Sequence, residues 1–405
     1  MKIQSILLLT TGLLLSLSCG SDQPSDAPLS APATDTDTGT ATASFVANPI
    51  KGEKREIVTL AIGAPAPDFQ LPEADGGFVS LSDFAKAKIL TVIFTCNHCP
   101  TAQAYEDRMI AYAKDYKSKN VAVVAISPNS PIGLLYEELG YTDLNDDYDQ
   151  MSIRKKDKQF PFPYLYDGDN QQVSLAFGAV ATPHVFLFDE SRKLQYAGRM
   201  DSSEKPGTAN AEDLRAATDA LLAGEPVATP STKTFGCSTK WSWKDEYRQK
   251  VDKEWKETPV SIEEIDEAGI AALLKNDSEK LRLINVWATW CGPCILEYPD
   301  LVATHRMFKG RDFEFISISA DKLDKKEKAR KKLQEMESAL SNYIFSGKDN
   351  YALAEAIDPD WNAALPYTIL VEPGGKVIYK HQGALEDVIA LRKIIVEHPM
   401  IGRYF

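Results

Sequence analysis

The sequence predicts an α/β chain of two tandem domains, each a mixed sheet flanked by helices, set after a leader and a flexible tether. Three observations carry this expectation. Apolar, β-branched runs alternate with stretches of helical periodicity, the pattern of strands joined by crossover helices. The pattern occurs twice, in the same order. In each copy a Cys-x-x-Cys pair stands between the first long apolar strand and the helix that follows it.

The first nineteen residues are not part of either copy. Lys2 provides a positive start, and Ile6 to Leu17 is an apolar run too short to span a bilayer but suited to the core of a signal peptide. Small residues then lead to Cys19, in a segment that resembles a bacterial lipoprotein cleavage box, with Cys19 as the lipidated new N-terminus. An ordinary secretory cleavage near Cys19 gives the same compartment. Residues 20–55, rich in Ser, Asp, Pro, Thr and Ala, bury too little to offset their ordering entropy and read as a disordered tether. The expected location is the bacterial cell envelope, on the periplasmic side, with the membrane reached through the lipid on Cys19.

The first domain is expected over 56–225. Ile89–Phe94 is a buried strand that leads into Cys96-Asn97-His98-Cys99, and Tyr105, Met109, Ile110 and Ala113 recur at helical spacing. Asn120–Ile126 is the next strand, and Thr182-Pro183 precedes the strand His184–Phe188. Pro226, Pro230 and Ser231 break the pattern and mark a connector over 226–257. The second domain is expected over 258–405. Ser261-Ile262-Glu263-Glu264 reads as a capping box opening a helix through Leu274. Leu281–Trp287 is the strand before Cys291-Gly292-Pro293-Cys294, and a helix carrying Leu296, Leu301 and His305 follows. Phe313–Ile318 and Tyr367–Val371 are further strands, the latter preceded by Leu365-Pro366, and Gly374-Gly375 reads as a hairpin turn.

Composition bounds the chemistry. A chain of 405 residues with 44% hydrophobic and 25% charged residues can build two cores of ordinary size. A net charge of −13 argues against a nucleic-acid partner, since phosphate binding needs a basic face. The six cysteines are too sparse for a disulfide-stapled scaffold. The two pairs are also too far apart for a zinc ribbon, whose pairs lie within about 20 residues of each other. Two redox pairs in an oxidising compartment fit instead, and no cofactor or resident metal is expected.

The thiolate is the attacking species, and an ordinary Cys is mostly protonated near neutrality. A helix N-terminus stabilises negative charge through its free N–H groups and dipole. A pair placed between strand and helix therefore makes Cys291 and Cys96 the expected nucleophiles, with Cys294 and Cys99 as resolving thiols. His98, between the first pair, is expected to stabilise the neighbouring thiolate and make that pair the more oxidising, so that electrons pass to it from Cys291/Cys294.

Trp290-Cys291-Gly292-Pro293-Cys294, with Pro366 before a strand, resembles the thioredoxin superfamily, and more narrowly its TlpA/ResA kind of exported reductase. The resemblance implies a cis peptide at Pro366 facing the disulfide, with Pro183 in the matching place of the first copy. It also implies a proton-transfer role for Glu297, because Asn285 stands where thioredoxins proper carry a buried Asp. The first copy resembles the redoxin or AhpC/TSA-like, peroxiredoxin-like branch. Carriers of that resemblance are Phe94 to Pro100, Tyr105-Glu106-Asp107-Arg108, Ala66-Pro67-Asp68-Phe69, and the tail Gly236-Cys237-Ser238-Thr239-Lys240-Trp241. Counted from Cys96, Ile93 and Ile89 replace the Thr and Pro of true peroxiredoxins.

The resemblances imply a thiol–disulfide oxidoreductase acting on disulfides of exported proteins. Cytochrome c or metal-site assembly is a plausible setting, with a membrane thiol reductase as electron donor. A thiol peroxidase reduced by the second domain is the alternative. Three side readings stay open. Cys96, Cys99 and His184 could converge on a soft metal ion, although His184 reads more simply as a buried strand residue. Cys237 is a free thiol, a partner for Cys96 or Cys99, or a mixed-disulfide link. The Lys322–Lys332 run is a solvated helix face.

Overall fold

Continuous apolar runs become central strands because each is covered on both faces. In the computed structural model, which describes residues 45–404, the first such run, Ile89–Phe94, is buried at every position. The leader, Cys19 and the tether up to residue 44 lie outside the described residues. Among those described, no helix is long and apolar enough to cross a membrane.

The first half runs β1 (Gln70–Pro72), β2 (Phe78–Ser80), β3 (Ile89–Phe94), α1 (Pro100–Tyr116), β4 (Val121–Ser127), α2 (Tyr148–Lys158), β5 (Tyr164–Tyr166), α3 (Gln172–Phe177), β6 (Ala181–Thr182), β7 (His184–Phe188), β8 (Leu194–Gly198) and α4 (Glu212–Leu222). Its sheet has the order β5-β4-β3-β7-β8, parallel through the first three strands and antiparallel through the last two. Then come β9 (Cys237–Ser238) and α5 (Asp245–Lys256). The second half is β10 (Glu263–Ile265), α6 (Glu267–Lys275), β11 (Leu281–Trp287), α7 (Gly292–Phe308), β12 (Phe313–Ser319), α8 (Lys326–Glu335), β13 (Ser341–Phe345), α9 (Asn350–Ile357), β14 (Tyr367–Val371), β15 (Val377–Gln382) and α10 (Val388–Glu397). Its sheet, β10-β13-β12-β11-β14-β15, repeats the first sheet with one added edge strand. The tandem mixed-sheet architecture expected from the repeat is therefore the one observed, and the hairpin at Gly374-Gly375 is present with both glycines at positive φ.

Two local expectations are corrected, and the expected connector is seen to be structured. The last part of the tether is docked, not free: Phe45 packs edge-on against Tyr148, and the Ile50 N–H donates to the Asp169 carbonyl. The capping box at Ser261–Glu264 does not form. Glu263–Ile265 is claimed as an edge strand by β13, and α6 is capped by Asp266, whose carboxylate accepts from the Gly269 N–H at 2.8 Å. The connector is ordered, since β9 pairs with β6 and α5 reaches the second half.

The two halves share one compact unit. A loop of the first half, residues 131–147, supplies Leu134 and Leu139 to the core of the second. The buried Arg306 of α7 lies over the rings of Tyr136 and Trp255 and pairs with Asp252 at 2.7 Å. Arg311 donates to the Gly140 carbonyl, and Arg403 pairs with Asp143 at 2.7 Å.

Candidate active sites

Each sheet fixes a cysteine through the same register. In the second half, Val286 of β11 faces Tyr367, the residue after Pro366. In the first half, Phe94 of β3 faces His184, the residue after Pro183. Both X-Pro bonds are cis. Five residues beyond Val286 stands Cys291; five beyond Phe94 stands Cys99, not Cys96. Helix starts agree. Cys291 is the N-cap of α7 and its sulfur accepts from the Cys294 N–H at 3.3 Å, whereas Cys99 is the N-cap of α1 and accepts from the Ala102 N–H at 3.4 Å. The equivalence of Cys96 with Cys291 is therefore corrected by one full pair. Cys96 precedes the helix, Cys99 caps it, and Ala102 occupies the place of Cys294. Pro100 was the available signal, because a proline at the first helical position marks the residue before it as the cap.

At the second site Cys291 and Cys294 form a disulfide. Cys294 is wholly buried and Cys291 nearly so, while Trp290 beside them is 62% exposed. The loop before the pair is held by Asp321, which accepts from the Thr289 N–H at 2.8 Å and from the Thr289 hydroxyl at 2.7 Å; no local sequence pattern singled it out. Glu297 lies on the inner side of α7. Its carboxylate accepts from Asn285 Nδ2 at 3.1 Å and from the Leu385 N–H at 2.8 Å. Burial raises its pKa against these two bonds, so the group is biased toward holding a proton. Asn285 also donates to Thr368 Oγ1, while its own Oδ1 is buried without a partner among the described residues.

At the first site three sulfurs meet. Cys96, Cys99 and Ala102 form one small buried cluster against which Cys237 packs. The Cys99 sulfur also accepts from the Cys237 N–H at 3.4 Å. Burial opposes the Cys99 thiolate, yet hydrogen bonds from Cys237 and Cys96, the His98 charge and the Ala102 N–H outweigh it, and the thiol is held well below its ordinary range. Cys96 is pushed the other way, first by burial and then by its bond to Cys99. It lies 3.2 Å from Thr182 Oγ1 and 3.5 Å from His98 Nδ1. The place of Cys99 at the N-cap of α1, with the Ala102 N–H on its sulfur, favours it over the expected Cys96 as the thiolate of this pair.

His98 Nδ1 is 2.5 Å from Asp146 Oδ2, and both groups are buried. Burial lowers the imidazole pKa, but the Asp146 charge and hydrogen bond more than reverse it and shift His98 toward its protonated form; the Asp146 pKa falls in turn. Asp146 was invisible in the sequence as a site residue. The Cys96–Cys99–His184 metal reading is not supported by placement. The ligand atoms that do converge, within 4.8 Å of one another, belong to Cys96, His98 and Asp146. His98 and Asp146 share a proton at a separation shorter than the ~3 Å that two ligands bonded at ~2 Å to one tetrahedral ion would keep. His184 instead packs, tilted by 41°, against the Phe186 ring, and burial lowers its pKa to about 4.

The two sites do not touch. Cys291 and Cys294 belong to the core of the second half, and the first-half cysteines to their own cluster. The first half contacts the C-terminal part of α7, through Arg306 and the segment after it. Cys291 caps the other end of this 17-residue helix, ~25 Å away at 1.5 Å per residue.

Comparison with known proteins agrees with this geometry. Residues 62–197 match the AhpC/TSA family and residues 229–394 match Redoxin. The thiol:disulfide interchange protein HelX of Rhodobacter capsulatus is 29% identical over 116 residues, which are 28% of this chain and 59% of HelX. The thiol-disulfide oxidoreductase ResA of Bacillus subtilis is 25% identical over 109 residues, 26% of this chain and 54% of ResA. The chain thus spans between about half and three fifths of the length of these two curated relatives. The solved structure of a hypothetical protein from Sinorhizobium meliloti is 34% identical, covering 45% of this chain and 96% of that one, with a TM-score of 0.41.

Proposed function

Because this chain belongs to the thioredoxin superfamily in both of its halves, we propose that it is a thiol–disulfide oxidoreductase whose catalytic pair is Cys291/Cys294. The observation that carries the reading is the Cys291–Cys294 disulfide at the N-terminus of α7, beside the exposed Trp290. In the reduced enzyme the Cys291 thiolate, favoured by the helix N-terminus, attacks a client disulfide and releases one client thiolate. Cys294 then attacks Cys291 and frees the second client thiol, leaving the disulfide that the structure holds. Glu297, poised to carry a proton and one helical turn from Cys294, is the acid–base group that takes the Cys294 proton. Pro366, cis and one residue before the Tyr367 that pairs with Val286, is assigned the positioning role.

The finer reading places this chemistry outside the cytoplasm, on disulfides of exported proteins, with a membrane thiol reductase restoring the dithiol and Cys19 as the lipid anchor. Cytochrome c or metal-site assembly is the setting that the relatives' resemblance favours. Electron transfer between the two sites, expected from the sequence, has no direct sulfur contact here, so it runs through a second copy of the chain or a partner thiol. The peroxidase alternative is the weaker one. With Cys99 as the attacking sulfur, Cys96 and Val92 stand where true peroxiredoxins carry the Thr and Pro.

An insulin-turbidity assay with dithiothreitol tests the proposal. In a chain whose first-site Cys96, Cys99 and Cys237 are replaced by Ser, further replacement of Cys291 by Ser is expected to bring the rate down to the uncatalysed one. Undiminished insulin reduction in that variant sinks the assignment.

A further inference from the structure

The halves differ in what lies beside the cis-proline. In the second half Leu365 is half-buried and pairs with no strand among the described residues. In the first half the equivalent Thr182 is fully buried and pairs, antiparallel, with Cys237 of β9. Gly236 makes that approach possible. It adopts φ +121°, and a Cβ there would stand 2.3 Å from the Thr182 carbonyl oxygen. The chain's own tail is thus laid across the first site. Thr239 donates from its hydroxyl to the Ala179 carbonyl at 2.7 Å, the Lys240 N–H donates to Asn129 at 2.8 Å, and Trp241 and Trp243 stack beyond them.

This tail changes which sulfurs can react. Cys99 is wholly buried and Cys96 is 3% exposed, whereas Cys237 is only partly covered. Thiol–disulfide exchange needs an accessible sulfur for the incoming group. A disulfide closed between Cys96 and Cys99 would offer none. Cys96 also bonds the Cys99 sulfur but is shared with Thr182 Oγ1 and the His98 ring, while Cys237 brings both its N–H and its thiol to the Cys99 sulfur.

We propose that the working disulfide of the first site joins Cys99 to Cys237, with Cys237 as the sulfur that meets external disulfides and Cys96 as a positioning thiol. The step balances as follows. Cys237, the accessible sulfur of the pair, gives its proton to the Cys99 thiolate only in concert with its attack on one sulfur of an incoming disulfide R–S–S–R′, against the resting preference of the two thiols, and breaks that S–S bond. The thiolate R′S⁻ leaves and takes the proton from Cys99. The restored Cys99 thiolate attacks the Cys237 sulfur, forms the Cys99–Cys237 bond and expels RS⁻, which is protonated by solvent. Two protein thiols are oxidised and one small or protein disulfide is reduced to two thiols. The assignment goes beyond the activity at Cys291/Cys294 and stands or falls independently of it.

The test uses the reduced full-length chain equilibrated with excess oxidised glutathione. Remaining thiols are blocked, and peptides from non-reducing digestion are mapped by mass spectrometry. The expected result is one cross-linked peptide joining Cys99 to Cys237, with Cys96 blocked, and the same cross-link in the Cys96→Ser chain. A Cys96–Cys99 link with Cys237 blocked overturns the proposal. So does a Cys237 linked elsewhere, or three blocked first-site thiols in a sample whose Cys291–Cys294 pair is fully oxidised.

Discussion

Replacing Asp146 by Asn keeps the shape of the first site and removes its buried charge. One carboxylate oxygen accepts from the Asn97 and His98 N–H groups at 2.8 and 3.0 Å, and the other from His98 Nδ1 at 2.5 Å and Asn129 Nδ2 at 2.7 Å. The amide oxygen of Asn can keep the two backbone bonds. Its NH₂ then faces the Asn129 NH₂, and Asn129 cannot turn, because its Oδ1 accepts from the Lys240 N–H at 2.8 Å. One buried donor loses its acceptor, a cost of about 1–3 kcal/mol. Removing one member of a buried ion pair costs about 3–5 kcal/mol when the other stays charged, but His98 can shed its proton, so a loss near ~3 kcal/mol is expected. The pH dependence has a definite sign. Asp146 has a lowered pKa, so its contribution is present above the unfolded carboxylate pKa and is lost as pH falls through the folded value. His98 has a raised pKa, so its contribution is present below the unfolded imidazole pKa and is lost as pH rises through the folded value. The stability difference between wild type and variant, read from urea midpoints, should therefore be greatest between about pH 4 and 6.5 and shrink on either side. A second readout isolates the electrostatics. Once His98 is neutral, the Cys99 thiolate loses a neighbouring cation and its midpoint should rise by about one to three units. Thiolate ultraviolet absorbance against pH, in a chain with Cys291 and Cys294 replaced by Ser, measures this. An unmoved Cys99 midpoint, or a stability difference flat with pH, refutes the charge pair as the cause.

Other perturbations follow from single contacts. Glu297→Gln keeps an acceptor for the Leu385 N–H but carries no exchangeable carboxyl proton; kcat for insulin reduction should fall about 100-fold with KM unchanged, and the limb of the pH profile that follows Glu297 should vanish. An unaltered pH profile would assign that limb to another group. Gly236→Ala drives a methyl into the Thr182 carbonyl and should lift the tail, so iodoacetamide should modify Cys99 faster than in the wild-type chain; equal rates would mean the tail is held without Gly236. Arg306→Ala removes the buried guanidinium from the one-third-exposed Asp252, which keeps Arg248, and from between Tyr136 and Trp255; about 1–3 kcal/mol is at stake, and calorimetry should show the melt of the second half parting from that of the first. A single transition at an unchanged temperature would show that this contact does not couple the halves.

Long elements were legible and short-range exceptions were not. The runs at Ile89–Phe94 and Leu281–Trp287 announce themselves because a central strand must be apolar throughout. The repeat then follows from counting, down to the two prolines before β7 and β14. By contrast β6 and β9 are two residues each, too short for any periodicity, and their pairing is set by chain segments distant in sequence. Asp146 sits in an Asn-Asp-Asp stretch that reads as an ordinary acidic loop. Its role depends on the loop crossing back to His98, which no local pattern encodes. At Ser261–Glu264 two local rules competed, and the edge of β13 decided for strand. The slip at the first cysteine pair was of another kind. Matching Cys-x-x-Cys to Cys-x-x-Cys aligned letters, whereas the helix begins where Pro100 permits it.

That one-pair shift determines what the first site can do. At the second site both sulfurs ride on one helix, the attacking one at the cap and the resolving one a turn inside, so the disulfide closes without help from any other segment. At the first site Ala102 fills the resolving position, and the second sulfur must come from outside α1. Cys96 comes from the strand side and is sealed; Cys237 comes from a tail that a two-residue ladder holds in place. The same tail continues through Trp241 and α5 to Asp252 and Trp255, where it grips Arg306 of the second half. Redox change at Cys237 therefore acts on a segment anchored at both halves. The connector thus ties the first site to the C-terminal end of α7, the helix whose N-terminus carries Cys291. Two sites so joined can share a redox history without sharing electrons directly, and that is a physical reason for both to be carried on one chain.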